Sequence, residues 1–524
     1  MTADQLESET FSSVDTAWLH MDRPTNLANI TGVIIFAEPL PFERLKTTVE
    51  SRLLLYKRFR QRVVEPPHPT IQRPRWETDP DFNLDNHLVR VSFSAPLNTA
   101  MLQRLVGEMM SIPLDRAKPL WQFHFIERYD QGSALICRLH HCIADGIALV
   151  QVLLSITSEQ PDTTWPEPPA EEPQHELSRL AKLLRPAVKT AMAAGSALRM
   201  TEEVLQTGID TIIYPPRLAG ATQQRADALR ALAKLLLIPP DHKTVLRGKC
   251  DIPKLAVWSQ PLDLEQFKGI GQKMGGTLND ILLSAVTGAL RRYLEERGEE
   301  VIGLDIRTIV PVNLRPPDDL YLVGNRFGLV FLSLPVGIID PIERLLVLKR
   351  RMNEIKDSPE AVVALGILGA VGMTSTQIEK IIVDIFGVKG SAVMTNVPGP
   401  RKPLYMAGSR IRSLMCWVPT PASLSLGLSI VSYAETVSIG LATDAGLIPD
   451  PERIIDHFYA ELEFLQQWGR PTAEEPASSQ EAQSLAPPEP TESPARCQAL
   501  TKEGKSCKNR ALPGSAFCFV HKDS

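Results

Sequence analysis

The chain is 524 residues long, more than a single hydrophobic core normally supports, so two main domains with appendages are expected. Its hydrophobic share of 44% is ordinary for a globular protein, and its formal net charge of -5 argues against nucleic acid as a partner, since phosphate contacts call for a basic surface. No N-terminal stretch has the charged, apolar and small-residue succession of a secretory signal, and no apolar run reaches the roughly 18 to 20 residues that span a bilayer, so a cytoplasmic protein is expected.

In chain order, Val14-Asp15-Thr16-Ala17-Trp18-Leu19 and Pro24-Thr25-Asn26 open the first domain, taken as residues 1–158. Pro113-Leu114-Asp115-Arg116-Ala117-Lys118-Pro119-Leu120-Trp121 then leads into two β-rich runs, Trp121 to Tyr129 and Ser133 to His141. Asp130-Gln131-Gly132 supplies the hairpin turn between them. The second run ends in His140-His141-Cys142-Ile143-Ala144-Asp145-Gly146. Strand alternation groups His141 with Leu135, Cys137 and Leu139, and His140 with Ile136 and Arg138, so only one of the two faces a reaction centre. Ile147, Val150, Leu153 and Leu154 have helical spacing, which places Asp145 at a strand-to-helix corner where it caps the helix. A histidine there suits removal of a proton from an alcohol, because its ordinary pKa of about 6.5 leaves it largely neutral near pH 7. The plainer reading is a core histidine beside a helix-capping aspartate. Gly146 is explained locally by close backbone approach or a positive φ.

Residues 159–250 read as a proline-rich connector followed by amphipathic linker helices, about 177–207 and 226–237. Arg179, Lys182, Arg185 and Lys189 give one of these a basic face that could lie on a membrane or bridge domains. The second main domain is taken as residues 251–470. Thr277 with Asp280 forms a variant capping box ahead of a strongly amphipathic helix, and Asn279 is left over from that explanation. Pro311-Val312-Asn313-Leu314-Arg315, Gly324-Asn325-Arg326-Phe327-Gly328 and Thr395-Asn396-Val397-Pro398-Gly399-Pro400 follow. The thirteen-residue apolar run Ala361 to Met373, with three glycines, reads either as the lining of an alkyl passage or as an ordinary buried helix. Leu424 to Ser432 and Thr436 to Thr443 form another hairpin. Residues 471–495 are proline- and glutamate-rich and are expected to be disordered. In residues 496–524, Cys497, Cys507, Cys518 and His521 read as C-x9-C-x10-C-x2-H, four ligands suited to a structural zinc, in a spacing unlike common zinc fingers. Cys137, Cys142, Cys250 and Cys416 are scattered, and Cys142 reads as a packed residue rather than a nucleophile.

Taken together and in this order, HHxxxDG at residues 140–146 and the flanking signatures resemble the bacterial wax ester synthase/diacylglycerol acyltransferase family, within the coenzyme A-dependent acyltransferase superfamily. The resemblance spans roughly residues 10 to 468. It implies a mixed α/β fold of two similar acyltransferase-like domains enclosing a tunnel, joined by a helical linker; the small C-terminal Cys/His module departs from the usual family architecture. It also implies that His141 is the catalytic base and His140 its support. Asp145 is then architectural and pairs with an arginine, for which Arg315 is the candidate, and Asn279 with Asp280 lies near the active centre. Acyl-CoA would be a co-substrate, with no catalytic cofactor, and the acceptor a diacylglycerol or a fatty alcohol, met at a membrane or lipid-body surface.

Two other classes share parts of this pattern. A condensation enzyme of peptide assembly lines has HHxxxDG but works with carrier domains, and no carrier segment with its attachment serine is recognisable here. A non-catalytic lipid-binding scaffold would keep the fold and could lose the base, which this chain retains.

Overall fold

The computed structural model describes residues 8–67, 72–161, 222–274, 276–314, 325–356, 358–374 and 376–469. The first half runs β1 (Ser8–Thr10), α1 (Ser13–His20), β2 (Asn29–Phe36), α2 (Phe42–Arg52), β3 (Gln61–Val64), β4 (Arg75–Thr78), β5 (Leu88–Val91), α3 (Thr99–Met110), β6 (Trp121–Tyr129), β7 (Gly132–His140), α4 (Gly146–Ser155) and β8 (Thr157–Ser158). The second half begins with α5 (Thr222–Leu237), β9 (Lys254–Trp258), β10 (Leu262–Asp263), α6 (Lys268–Met274), α7 (Leu278–Glu296), β11 (Ile306–Asn313) and β12 (Phe327–Leu334). It continues through α8 (Pro341–Lys356), α9 (Glu360–Val371), α10 (Thr376–Gly387), β13 (Ala392–Pro398), β14 (Tyr405–Met406), β15 (Ser409–Trp417), β16 (Leu426–Tyr433), β17 (Thr436–Asp444) and α11 (Glu452–Gly469).

Each half is built on a seven-stranded mixed sheet. The first has the order β5-β6-β7-β2-β15-β14-β8; the second has β10-β17-β16-β13-β11-β12, with β9 also on β17. β14 and β15 come from the second half of the chain and extend the first sheet, where β15 pairs antiparallel with β2. The halves are therefore joined by backbone hydrogen bonds as well as by packing. A shared apolar cluster lies between them, with Val33, Ile136 and Trp417 from the first sheet against Ala256 and Val431.

Local chemistry fixes the ends of the elements that carry the site. Ser12 caps α1 by accepting the Asp15 amide at 3.0 Å, and Thr277 and Asp280 close a reciprocal capping box on α7. The β6–β7 hairpin turns at Asp130, which holds φ 51°. β7 begins one residue earlier and ends one residue earlier than its apolar pattern suggests, because Gly132 still pairs with Tyr129 while the His141 amide turns away to the Ala28 carbonyl at 2.8 Å.

The glycine-spaced run at residues 361–373 is α9, buried on nearly all sides. At Gly372 a Cβ would stand 1.7 Å from the Ser13 carbonyl oxygen, so that glycine lets α1 pack close. Among the described residues no helix is long and apolar enough to cross a membrane. The helix expected at 177–207, the linker at 471–495 and the C-terminal Cys/His module lie outside the described residues. Among those described, no group of three or more His, Cys, Asp or Glu could hold a metal ion.

Candidate active site

The two histidines stand where β7 gives way to α4, at the boundary of the two halves. His141 is 3% exposed. Its ring lies flat on Trp18 of α1, centroids 4.0 Å apart and planes at 16°, while Phe327 of β12 tilts against it at 5.4 Å. Burial pushes the imidazole pKa down to about 4, against opposing pulls from Asp145, its own carbonyl and Asn325. The ring is therefore neutral near pH 7 and able to accept a proton.

His140 is held differently. Its Nδ1 accepts the Cys142 amide at 3.2 Å, which leaves Nε2 to carry the hydrogen; Nε2 lies 3.3 Å from Asp22 Oδ2, an ion-pair distance with poor hydrogen-bond alignment. Burial raises the Asp22 pKa, but His140, the Ala28 amide and Arg116 outweigh it and hold the carboxyl below its ordinary value. Arg116 also donates to the Leu19 carbonyl at 3.1 Å, so the Pro113–Trp121 stretch ties α1 and Asp22 together beneath the histidines.

Asp145 is buried and uses both oxygens. Oδ1 accepts the Ala148 amide at 2.9 Å and so caps α4, while Oδ2 accepts the Arg326 amide at 2.9 Å from the second half. Next to it, Asn325 Nδ2 donates to the His141 carbonyl at 2.9 Å and to Asp15 Oδ1 at 2.8 Å. Asp15, Trp18, Asp22, Asn325 and Phe327 thus build the site with the histidines, and none was singled out as a site residue from the sequence. Asp15, Trp18, Asn325 and Phe327 stand inside the signatures at 14–19 and 324–328, and that was the available signal. Asp22 carried none, because its contacts with His140 and Arg116 are long-range.

The expectation for Gly146 is corrected. Gly146 needs neither a positive φ nor close approach: it is the first residue of α4, and a Cβ there would meet nothing within 4 Å. The Asn279 side chain accepts Asn396 Nδ2 at 2.9 Å, which joins the signatures at 277–280 and 395–400. Asp280 is consumed by its cap, accepting the Thr277 amide and hydroxyl at 2.8 Å each. Arg315 lies outside the described residues. Cys142 is buried and its thiol is pushed well above its ordinary pKa by burial, which favours the packed thiol over a thiolate. A surface hollow of about 720 Å³ lined by Arg292, Ile339 and Phe464 is elsewhere in the second half and shares no residue with this site.

Comparison with known proteins places the chain beside acyltransferases along most of its length. The sequence profile of the wax ester synthase/diacylglycerol acyltransferase catalytic domain matches residues 11–282, and that of the WS/DGAT C-terminal domain matches residues 323–466. A protein described as a probable diacylglycerol O-acyltransferase of Mycobacterium tuberculosis is 27% identical over 445 residues, covering 82% of this chain and 89% of that protein. The O-acyltransferase WSD of Acinetobacter baylyi is 24% identical over 481 residues, covering 86% and 96%. In fold, the chain resembles the wax ester synthase/diacylglycerol acyltransferase of Marinobacter aquaeolei, with TM-score 0.61, 20% identity and coverage of 88% of this chain and 99% of that one. It also resembles the first condensation domain of the calcium-dependent antibiotic synthetase, with TM-score 0.53, 13% identity and coverage of 88% and 96%.

Proposed function

This chain belongs to the wax ester synthase/diacylglycerol acyltransferase family, and from that premise we propose how its site works. The protein is an acyl-CoA-dependent O-acyltransferase that moves a long-chain acyl group to a lipid alcohol, either a diacylglycerol or a fatty alcohol. His141 is the general base. The alcohol oxygen attacks the thioester carbonyl carbon as the imidazole takes the hydroxyl proton. The tetrahedral intermediate then collapses, the C–S bond breaks, and the imidazolium returns the proton to the departing thiolate, leaving an ester and free coenzyme A. No covalent acyl-enzyme is needed.

The observation that carries this reading is a buried, neutral imidazole fixed at the seam of the two halves by contacts from both. Dry surroundings protect the thioester from water. They also make His141 a weak base, so positioning supplies much of the acceleration. The ring is almost closed off, and transfer requires the Phe327 wall to give way for the two substrates while Trp18 keeps its stack. His140 supports the backbone turn, Asp145 holds the corner, and Arg315 is assigned as its further partner. Gly146 leaves space beside the motif, and Asn279, through Asn396, with Asp280 positions the second mouth of the substrate passage. Domain limits of 1–158, 159–250 and 251–470 describe this division, with β14 and β15 crossing between the sheets.

Purified protein given palmitoyl-CoA with hexadecanol or with diacylglycerol should release thiol and form the matching ester, and His141→Ala should abolish both at unchanged folding. Persistent turnover in that variant would remove the general-base assignment.

The protein also meets its substrates at a lipid surface. α10 supports this: Ile378, Ile381 and Ile385 recur at helical spacing and are about half exposed or more, with Met373 before them and exposed Leu236 and Leu237 at the end of α5. α10 is anchored on α1 by His20–Glu379 at 2.8 Å, through the buried Glu379, and at the edge of the exposed face on the loop after α1 by Arg23–Asp384 at 2.7 Å. Flotation with liposomes should be lost in Ile381→Asp/Ile385→Asp; equal flotation would count against this surface. In the tail, Cys497, Cys507, Cys518 and His521 are assigned to a structural zinc from their ligand types. Metal analysis of the full chain should find one zinc that Cys507→Ser/Cys518→Ser lacks.

A further inference from the structure

A face of the first sheet, turned toward the second half, carries buried polar side chains that the chemistry above does not use. Alternation along β2, β6 and β7 puts Asn29, Thr31, His124 and Arg138 on the side of Val33, Ile126 and Ile136, which packs against Ala256 and Val431. Register brings them together: Thr31 stands opposite Arg138 on one side and Trp417 on the other, and Asn29 stands opposite His140. Thr31 and Arg138 are 1% exposed and Asn29 9%.

Both ends of the Asn29 amide, Thr31 Oγ1, His124 Nδ1, Arg138 Nε and Trp417 Nε1 have no hydrogen-bond partner among the described residues. Arg138 Nη2 donates to the Ile112 carbonyl, and no carboxylate among the described residues pairs with the guanidinium. Polar groups left so are costly, and an unpaired buried charge more so, which marks this row as built to receive something. The row is dominated by donors: guanidinium, indole, amide and hydroxyl hydrogens. Its complement is a group presenting acceptor oxygens. The carbonyl oxygens of an ester or an amide match these donors.

We propose that Asn29, Thr31, Arg138 and Trp417 form a sub-site for substrate carbonyl oxygens, with Arg138 as its principal donor. Two substrates of the proposed reaction carry such oxygens: a diacylglycerol has ester carbonyls, and the pantetheine arm of coenzyme A has amide carbonyls. A fatty alcohol has neither. The inference rests on the acyl-transfer reading.

The test is the KM of full-length Arg138→Met and Thr31→Val for palmitoyl-CoA, diacylglycerol and hexadecanol, beside thermal melting. Loss of a charged, buried hydrogen bond should raise the relevant KM about ten- to hundredfold in Arg138→Met and less in Thr31→Val, with kcat changed far less. A rise for diacylglycerol alone assigns the row to the acceptor ester. A rise for palmitoyl-CoA with either acceptor assigns it to the pantetheine arm. All three KM values unchanged in folded variants would overturn the sub-site; if Arg138→Met does not fold, Thr31→Val decides, since it keeps the guanidinium. A wild-type protein without transfer removes the acyl-transfer reading and this inference with it, whereas active wild type with unchanged variants removes the sub-site alone.

Discussion

The Trp18 indole lies flat on the His141 imidazole, 4.0 Å between centroids, so an opening helix of the chain sets the plane of the ring that takes the proton. Phe327 closes on the same ring from the second half. Replacing Trp18 by Ala should cost about 3–5 kcal/mol of stability through the cavity it leaves. It should also lower kcat by about tenfold or more, because the ring loses its fixed orientation. Trp18→Phe keeps a stacking face and should recover most of kcat. Melting curves and single-turnover rates check this; full activity in Trp18→Ala would show that the stack only fills space.

The amide of Asn325 serves two masters, the His141 carbonyl and Asp15. Asp15 is buried, and its pKa is raised by that burial despite the hydrogen bonds it receives from Asn325 and Ser12. Asn325→Ala should destabilise by about 1–3 kcal/mol, since it strands a buried carboxyl and a buried carbonyl. Combined with Asp15→Ala the loss should fall short of the sum of the two single variants, because one bond is being removed twice. Additive losses in denaturant titrations would break the proposed linkage.

The sequence carried the hairpin that delivers the histidines, the capped helix after Thr277 and the corner at Asp145, because each depends on neighbours in the chain. The contacts that shape the site are of another kind. Asp22 reaches His140, and Asn325 reaches Asp15, across stretches where no periodicity applies. The joining of β15 to β2 is equally non-local, since a hydrophobic strand pattern does not say which sheet it completes. Gly146 shows the opposite error. A turn rule supplied a reason for glycine where the backbone needs none.

The space beside Gly146 gives a sharp test. Gly146→Ala places a methyl where nothing lies within 4 Å, at the first position of a helix. Stability should be unchanged or higher by up to about 1 kcal/mol, as alanine restricts the unfolded chain. A folded Gly146→Ala protein with reduced acyl transfer would mean that substrate occupies the gap. By contrast Gly372→Ala, which drives a methyl into the Ser13 carbonyl, should destabilise and leave the KM values of any folded fraction unchanged.

The acid response follows from the sign of the histidine shifts. His141 falls from 6.5 to about 4 in the folded chain through burial, and His124 falls to about 4 through burial and then Arg138. Between those values the unfolded chain binds protons that the folded chain refuses. Each histidine's contribution is therefore fully present above about pH 6.5 and is lost as pH falls toward 4, by up to about 3 kcal/mol for His141. Asp15 and Glu379, both raised by burial, act in the opposite sense, so the measurement must be differential. Between pH 7 and 5 the melting temperature of wild type should drop further than that of His141→Gln. The acid limb of kcat/KM should lie near 4 rather than near 6.5, since it reports the free enzyme's base. A limb at 6.5 would place the working imidazole in water, and the dry, stacked ring described here would not be the form that meets the alcohol.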